Sequence, residues 1–368
     1  MIEIREGDLR AFFSAPFEIY GERAPYVSPM FGDLKRFLSA EQNPLFNTAA
    51  DFAFFTAHDG AAVRGRITAH VHRASNTRFG QARGYFGYFD CSDDGRVAAA
   101  LLERAEDWAR ARGFTELLGN FNLTAMQQVG IMTGGFENAP YTDQIWGPPY
   151  LPRLLEAAGY SATFPMSTFE IDVGASTTAG LLAKGQLQTL REEGFRFSPI
   201  RHATLGQRLE DSRLILNESF SDNPMFVPVT RAEYEFQAKE MKWIMDPRIS
   251  AVVEKDGVPV GSVIAIPDVN PMLKAMGSRL GLSAPWHLLK HRLRRRRAVV
   301  IFQGVKPAHQ GRGLNPLMLA HVLGQMQRAG YENAGGTWIA DANVASLRQA
   351  ERAGARPLHR LHLFGKTL

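Results

Sequence analysis

The 368-residue sequence contains a single cysteine, Cys91. An internal disulfide and a cysteine-based zinc site are therefore excluded, and we expect a reducing, intracellular compartment. No run approaches the roughly 20 apolar residues that a membrane-spanning helix needs. The first residues also lack the basic start and long apolar core of a signal peptide. These features exclude integral membrane proteins and disulfide-stabilised scaffolds, and they predict a cytoplasmic protein.

A large excess of one sign of charge is also absent. Lys and Arg total 42 and Asp and Glu total 37, and the 45% of hydrophobic residues is typical of a globular protein. At about 150 residues per domain, the length suggests two domains. The exception to the even balance is Lys290–Arg297 (KHRLRRRR), which holds six basic residues. Without it, 36 basic residues face 37 acidic ones, so the net charge of +5 reflects one concentrated basic segment.

The two halves of the chain repeat one order of elements: strand, helix, strand, helix, strand. In the first half these are Gly84–Cys91, Gly95–Gly113, Thr115–Asn122, Pro148–Tyr160 and Ser167–Val173. In the second half they are Ala298–Val305, Leu314–Ala329, Ala334–Ala340, Val344–Ala353 and Leu358–Phe364. Such a repeat predicts an α/β protein with two copies of one fold, each a mixed sheet flanked by helices.

The stretch between the copies, Asp172–Gly180, is rich in small and polar residues, as linkers are. We therefore predict a first domain at 1–174, a linker and the start of the second domain at 175–194, and the second domain proper at 195–368. Ahead of the second repeat, the sequence predicts helices at Leu205–Ser219 and Arg231–Met245, followed by a hairpin that turns at KDGV.

A glycine-containing loop connects the strand that ends at Val305 to the helix that begins at Leu314. Gly311 and Gly313 allow a close approach of the backbone to a ligand, and Arg312 adds positive charge. The first N–H groups of a helix have no partner within it, and they attract phosphate together with the helix dipole. Two turn glycines also occur in ordinary loops, but their place between a buried strand and a helix favours an anion site.

This region resembles the GNAT acyltransferase superfamily. Gln310–Asn315 fits the first four positions of that family's pyrophosphate motif, Gln/Arg-x-x-Gly-x-Gly/Ala. The preceding V-x-P is matched by Val305 and Pro307, and the downstream pattern by Asn343, Ser346 and Gly354. The resemblance implies an acyl-coenzyme A (acyl-CoA) donor and no metal. It assigns the pyrophosphate to Gln310, Gly311, Arg312, Gly313, Leu314 and Asn315, and the pantetheine arm to Gln303, Gly304 and Val305.

The sequence departs from the family pattern at two places. Asn315 stands where the motif ends in glycine or alanine, and Ala350 stands where a tyrosine commonly protonates the leaving thiolate. The first copy has no phosphate loop at all. Ser92, Asp93 and Asp94 precede its helix, and their carboxylates would repel a pyrophosphate. We therefore expect the first copy to be degenerate.

Further motifs resemble a bacterial double-GNAT group that includes bacterial ceramide synthases. They lie at Phe226–Tyr234, Asp246–Pro247, Asp256–Gly261, Pro267–Asn270, Glu103–Phe114 and Pro148–Tyr160. The resemblance implies transfer of a fatty acyl group from CoA to a long-chain, sphingoid-base-like amine. Two alternatives stay open: acetyl transfer to a small soluble amine, and a non-catalytic acyl-CoA-binding protein.

Transfer to an amine needs a base that removes a proton from the ammonium group. The candidate bases are Glu218, Asp268, Asp341 and the histidines His287 and His291, and Asn343 is a further candidate catalytic residue. Glu218 precedes a loop that we expect to border the acceptor site, while Asp341 and Asn343 follow a strand end, where α/β sheets place their sites. For each carboxylate a solvated or structural role is the competing interpretation.

About 30 residues separate the hairpin from the central strand, a connection far longer than this position needs. This segment, 267–297, joins apolar residues to a basic end, as interfacial helices do. The candidate membrane or substrate contacts are Trp286, Lys290, Arg292, Arg294, Arg295, Arg296 and Arg297. Basic residues contribute about 1 kcal/mol each near an anionic leaflet, so the segment predicts peripheral binding to the cytoplasmic face of the inner membrane.

Three other interpretations of the insertion remain. It could cover the core as a helical hairpin, dock an acidic acyl carrier protein, or bind nucleic acid. The leucines and the indole beside the charges argue against nucleic acid, because phosphate binding needs no apolar face. We therefore expect no nucleic-acid partner.

Overall fold

The computed structural model describes residues 1–174, 181, 186–221, 223, 225–239 and 241–368. The predicted linker lies partly outside these residues, at 175–180 and 182–185. The chain divides into two compact units. The first comprises residues 1–167, 270–288 and 359–368, and the second comprises residues 168–269 and 289–358.

Strands and helices alternate along the chain. The strands are β1 (Glu3–Glu6), β2 (Phe52–Asp59), β3 (Ala62–His70), β4 (Arg83–Cys91), β5 (Glu116–Gly119), β6 (Ile131–Gly134), β7 (Ser161–Asp172), β8 (Phe195–Pro199), β9 (Ala251–Lys255), β10 (Val258–Pro267), β11 (Arg297–Val305), β12 (Asn333–Ala340) and β13 (Arg356–Thr367). The helices are α1 (Leu9–Tyr20), α2 (Phe31–Phe37), α3 (Arg73–Phe79), α4 (Gly95–Arg110), α5 (Leu151–Ala157), α6 (Gln186–Glu192), α7 (Leu205–Ser219), α8 (Arg231–Ala238), α9 (Met241–Ile244), α10 (Asn270–Ala275), α11 (Ala284–Arg294), α12 (Leu314–Arg328) and α13 (Val344–Arg352).

The first unit has the strand order β1-β2-β3-β4-β5-β13. The pairs from β1 to β4 are antiparallel, β4 and β5 are parallel, and β13 pairs antiparallel with both β5 and β6. Helix α4 packs on this sheet because Val97, Leu101, Ala105 and Trp108 recur at helical spacing, and all four are buried. The predicted strand–helix–strand of the first copy is therefore confirmed.

The second unit repeats this pattern in the order β12-β11-β10-β9-β8. Strands β11 and β12 are parallel and the other pairs are antiparallel. Helix α12 lies between β11 and β12 in sequence, and its apolar face is buried in the core with Leu317, Met318 and Val322. The predicted helix at 205–219 has the bounds of α7, whereas the predicted helix at 231–245 is two helices, α8 and α9. The α/β fold with mixed sheets in two copies is confirmed.

The start of the insertion is part of the first unit. Ser278, in a left-handed conformation after α10, accepts a hydrogen bond from the Phe31 N–H at 2.9 Å. Its hydroxyl is within 2.7 Å of the Ser28 carbonyl oxygen. The guanidinium of Arg279 lies over the rings of Phe13 and Phe31. Residues 270–279 are thus packed against the first unit as a covering layer.

Candidate functional site

The central feature of the second unit is a cleft between two parallel strands. β11 and β12 pair from Arg297↔Asn333 to Val300↔Gly336, and both strands then continue without further pairing to each other. At this point β11 carries a bulge, because Ile264 pairs with Phe302 and the next residue of β10 pairs with Val300. A bulge bends its strand, and this one lies directly after the last residue of β11 that pairs with β12.

The predicted pantetheine residues lie on one wall of this cleft. Gln303, Gly304 and Val305 still pair with β10, so the strand stays in place while its other edge faces the opening. The Gln303 side-chain amide donates a hydrogen bond to the Asn315 carbonyl oxygen at 2.8 Å and ties the strand to the first turn of α12. An N–H on this free edge is suited to a carbonyl oxygen that acquires negative charge.

The loop from Val305 to α12 has the geometry that its glycines predict. Gly311 has a φ of 74° and Gly313 a φ of 76°, in the left-handed region that glycine adopts without strain. The Gln310 side-chain amide donates to the Val305 carbonyl oxygen at 3.0 Å and closes the base of the loop. A Cβ at Gly313 would lie 1.7 Å from the Gln186 Nε2, so a side chain here would displace the Gln186 amide from the loop.

The N-terminus of α12 is open. Gly313 occupies the N-cap position without a side-chain cap, so the first N–H groups of α12 receive no hydrogen bond from a capping side chain. The equivalent helix of the first copy is closed, because the Asp94 carboxylate accepts from the Arg96 N–H at 2.9 Å. One copy therefore leaves its helix N-terminus without a side-chain cap, whereas the other caps it with its own carboxylate, as expected for a degenerate copy.

Positive charge surrounds this helix end. Burial, followed by the positive charges of Lys255, Arg312 and Lys306, lowers the pKa of His309. Arg312 itself is paired with Glu193, whose carboxylate oxygen lies 3.1 Å from its Nη1. A pyrophosphate at the open end of α12 would be attracted both by the helix dipole and by these nearby cationic side chains.

Glu218 lies next to the end of β11. Its carboxylate is 2.8 Å from the Lys306 Nζ, and its side chain is 50% exposed, so it is open to an acceptor. The following residue, Ser219, faces Gly304 so closely that a Cβ there would come within 2.4 Å of the hydroxyl oxygen. The structure therefore brings Glu218 together with the strand end and the phosphate loop.

An apolar cluster lies on the same side of β11. The ring of Phe220 is 5.9 Å from that of Phe302 and 5.8 Å from that of Phe226. Phe226 belongs to a loop that the Asn217 side chain holds to α7 through the backbone of Val229. Sequence motifs do not reveal this cluster, because its three members come from different elements.

The end of β12 carries the next candidates. Asp341 follows β12 directly and is exposed, on the same edge of the sheet as the end of β11, since the two strands are parallel. The Asn343 side chain caps α13 by accepting from the Ser346 N–H at 3.1 Å. Ala350, where the family has its tyrosine, is buried on the inner side of α13.

Asp268 lies at the opposite end of β11. Its buried carboxylate is 3.4 Å from the Nε of Arg297, the first residue of that strand. At about 3.3 Å per residue, the length of β11 places it about 26 Å from Val305. The structure therefore does not bring Asp268 together with the phosphate loop.

The predicted basic segment divides into two parts. Arg295 pairs with the buried Asp246 at 2.8 Å, Arg296 pairs with Glu332, and Arg297 pairs with Asp268. The other members, Trp286, Lys290, Arg292 and Arg294, are exposed on α11. Within the ranges that the structure describes, no cluster of His, Cys, Asp and Glu could hold a metal ion. No described helix is long and apolar enough to cross a bilayer.

Two site residues are absent from the sequence-based prediction. Glu193 and Gln186 come from α6 and its C-terminal end, about 120 residues before the phosphate loop, and both contact that loop. No local motif marks them, since each is an ordinary polar residue in an amphipathic segment. Only the fold brings α6 against Arg312 and Gly313.

Comparisons with known proteins agree with this geometry. Residues 214–355 match the acetyltransferase (GNAT) family model. The chain is 28% identical to the bacterial ceramide synthase of Caulobacter vibrioides (strain NA1000 / CB15N), over 98% of this chain and 95% of that protein. It is 26% identical to protein YghO of Escherichia coli (strain K12), over 99% of this chain and 94% of that protein.

The fold is also found among solved structures. A tandem GNAT protein from the clavulanic acid biosynthesis pathway matches with a TM-score of 0.59 at 13% identity, over 100% of this chain and 98% of that one. At this identity the likeness is one of fold. The second copy is thus similar in sequence to the acetyltransferase (GNAT) family, and the fold of the whole chain resembles that of a tandem GNAT protein.

Proposed function

We propose that the protein transfers a fatty acyl group from acyl-CoA to a long-chain amine resembling a sphingoid base. The observation that carries the proposal is the similarity to a bacterial ceramide synthase along 98% of the chain. Similarity through both copies supports a shared acceptor as well as a shared donor.

In this proposal, acyl-CoA binds with its pyrophosphate against Gln310, Gly311, Arg312, Gly313, Leu314 and Asn315. Its pantetheine arm lies along Gln303, Gly304 and Val305, in the cleft where β11 leaves β12. This places the thioester near the end of β11 that Glu218 borders. A backbone N–H on the free edge of β11 then stabilises the oxyanion of the tetrahedral intermediate.

Proton transfer completes the reaction. The ammonium group of the acceptor loses a proton to a carboxylate, for which we propose Glu218, with Asp341 at the end of β12 as the second candidate. The neutral nitrogen attacks the thioester carbon and a C–N bond forms. The nitrogen, now cationic, loses its second proton to solvent as the C–S bond breaks. The thiolate leaves and takes a proton from solvent, because Ala350 offers no hydroxyl group. Asn343 caps α13 and supports this edge of the site.

The apolar cluster of Phe220, Phe226 and Phe302 supports a long acyl chain rather than an acetyl group. An acetyl group needs no apolar surface beyond its methyl group, whereas each buried methylene of a longer chain contributes about 0.8 kcal/mol. Phe220 is partly exposed and packs on the buried Phe226 and Phe302, so its ring offers such a surface beside the strand end.

A direct assay tests this function. Purified full-length protein would receive palmitoyl-CoA or acetyl-CoA, each with sphinganine or with a small soluble amine. Released CoA is measured with a thiol reagent, to which the buried Cys91 contributes little, and the N-acyl product by mass spectrometry. We expect product from palmitoyl-CoA with sphinganine. Product from acetyl-CoA and the small amine alone would contradict the proposal.

A second experiment tests the function in cells. A strain that lacks the gene should lose an N-acylated long-chain lipid in its lipid mass spectrum, and a plasmid copy should restore it. The alternative of a non-catalytic acyl-CoA-binding protein rests on Ala350. That alternative predicts CoA binding without turnover of any amine and an unchanged lipid spectrum.

A further inference from the structure

Helix α11 has its apolar residues on the wrong side for a helix that covers a core. No residue of α11 is buried, and Trp286, Leu289 and Leu293 are 65%, 50% and 76% exposed. A surface helix normally turns such residues inward and presents polar ones to water. The inverted arrangement argues against the interpretation of this part of the insertion as a cover for the core.

The exposed apolar residues form one stripe. At about 100° per residue, Trp286, Leu289 and Leu293 fall within an arc of about 60°, which we call the apolar crest. Lys290 and Arg294 lie along one side of the crest, and Arg292 lies on the other side. The crest is therefore the outermost surface of the helix, with basic residues at its flanks.

The opposite face of α11 holds the helix to the protein. Leu288 and His291 are partly buried, and Arg295, directly after the helix, pairs with the buried Asp246 at 2.8 Å. Arg297 likewise forms an ion pair with Asp268. Among the residues that the structure describes, Lys290, Arg292 and Arg294 have no ion-pair partner, so their charges are available to a ligand.

The crest is part of a wider concentration of apolar surface. Eleven large apolar residues are exposed in the described part of the chain, and five of them fall between residues 280 and 293. The two beyond the crest, Leu280 and Leu282, stand in the loop that leads into α11. Scattered exposed apolar residues need no explanation, but five within 14 residues indicate a binding surface.

We propose that α11 docks the protein on an anionic phospholipid bilayer, with Trp286, Leu289 and Leu293 inserted below the headgroups. The relative positions of the apolar and basic side chains favour a lipid bilayer as the binding partner. Lys290, Arg292 and Arg294 would lie at headgroup level when the crest enters the acyl region, and their long stems can reach outward to the phosphates. An acidic carrier protein would need the basic residues outermost, and here the crest is outermost.

Vesicle co-sedimentation tests the docking. Full-length protein would be mixed with vesicles of phosphatidylcholine alone, or of phosphatidylcholine with about one-quarter phosphatidylglycerol, at low and high salt. We expect binding to the anionic vesicles that weakens with salt. Replacement of the crest by W286S, L289S and L293S together should lower the partition coefficient about tenfold or more.

Matched variants separate docking from general effects. Trp243, on α9, is 72% exposed, so W243S removes an equally exposed indole elsewhere and should bind as wild type does. The charge reversal K290E/R292E/R294E should abolish binding. The charge reversal R10E/K35E/R64E changes the net charge by the same amount, at exposed residues outside the insertion. This variant should retain most of the vesicle binding.

Tryptophan fluorescence reports whether Trp286 enters the bilayer. Brominated lipid should quench the fluorescence of the wild type and should quench that of W286F less. The proposal would be overturned by a wild type that does not bind anionic vesicles, or by a crest variant that binds as tightly as W243S. A crest variant that loses a dimer instead of vesicle binding would assign the surface to a second copy of the chain. None of these measurements uses the acyl acceptor, so failure here leaves the proposed function intact, and the reverse also holds.

Discussion

The Glu193 carboxylate lies 3.1 Å from the guanidinium of Arg312, which stands two residues before the start of α12. Arg312 is the positive charge that the phosphate loop offers to an anion, and Glu193 neutralises it. A bound pyrophosphate must therefore compete with a carboxylate for the same cation. The side chains are 48% and 42% exposed, so the pair is weak enough to exchange its partner.

Removal of this competitor should strengthen CoA binding. In Glu193→Gln, Arg312 keeps its position near the loop but loses its internal anion, and we expect the Kd for CoA to fall about two- to fivefold, as for other exposed ion pairs. Glu192→Gln is the matched control, because its carboxylate accepts from Gln188 and does not contact Arg312. Isothermal titration would measure both, and a Kd that responds equally in the two variants would refute the competition.

Gly313 should tolerate no side chain. In Gly313→Ala the Cβ adds left-handed strain to the loop, and the Gln186 side-chain amide, 1.7 Å from that Cβ, must move away from its contact with the loop. We expect CoA affinity to fall about tenfold or more. Gly324→Ala lies in the same helix without a left-handed φ or a close contact, and it should keep its affinity and gain up to about 1 kcal/mol in stability.

Protonation of His309 should assist CoA binding. Burial and three nearby cations lower the pKa of His309, so the ring is mostly neutral at pH 7 and gains its proton only as the pH falls. A bound anion favours the protonated ring, so the affinity for CoA should rise as the pH falls from 7.5 to 5.5. His309→Asn should remove this rise in affinity at low pH. The ratio of the two Kd values at each pH cancels the titration of CoA itself, and a constant ratio would contradict the prediction.

The sequence identifies the elements of the second copy closely. Apolar periodicity and the glycines at 311 and 313 predict the end of β11 and the start of α12, because these features act locally. The same holds for α7 and for the closed N-terminus of α4 at Asp94.

Contacts over long sequence distances are what local patterns miss. The run at 290–297 reads as one basic patch, yet Asp246 and Asp268 remove Arg295 and Arg297 from it. A sequence pattern shows that charges are present but not which carboxylates the fold brings to them. The contact of Glu193 with Arg312 is hidden for the same reason, since it joins residues about 120 positions apart.

Asp246 should be a large contributor to stability. Its buried carboxylate accepts from Arg248 and Tyr331 and pairs with Arg295, so Asp246→Asn leaves two cations without their anion. We expect a loss of about 3 kcal/mol in the free energy of unfolding. Glu235→Gln breaks only an exposed pair with Arg231 and should cost about 0.5 kcal/mol or less.

The contribution of Asp246 should also depend on pH. Burial alone would raise its pKa, but the hydrogen bond from Arg248 and the charge of Arg295 outweigh burial and hold the pKa below its ordinary value. The carboxylate therefore stabilises the fold fully above about pH 4 and loses this effect in stronger acid. Urea unfolding at pH 7 and pH 3 should show a smaller gap between wild type and Asp246→Asn in acid. An equal gap at both values would contradict the ion-pair account.

Glu218 and Asp268 should respond differently to loss of charge. Glu218→Gln removes the proposed base, so kcat should fall about 100-fold. The loss in kcat should shrink as the pH approaches the pKa of the amine, because the acceptor then arrives already deprotonated.

Asp268→Asn should leave kcat nearly unchanged and lower the unfolding midpoint, since its buried carboxylate pairs with Arg297 at the far end of β11. Glu210→Gln, on the same helix as Glu218, controls for the loss of a carboxylate that pairs only with Arg213. A large kcat loss in Asp341→Asn with little effect in Glu218→Gln would move the base to the end of β12.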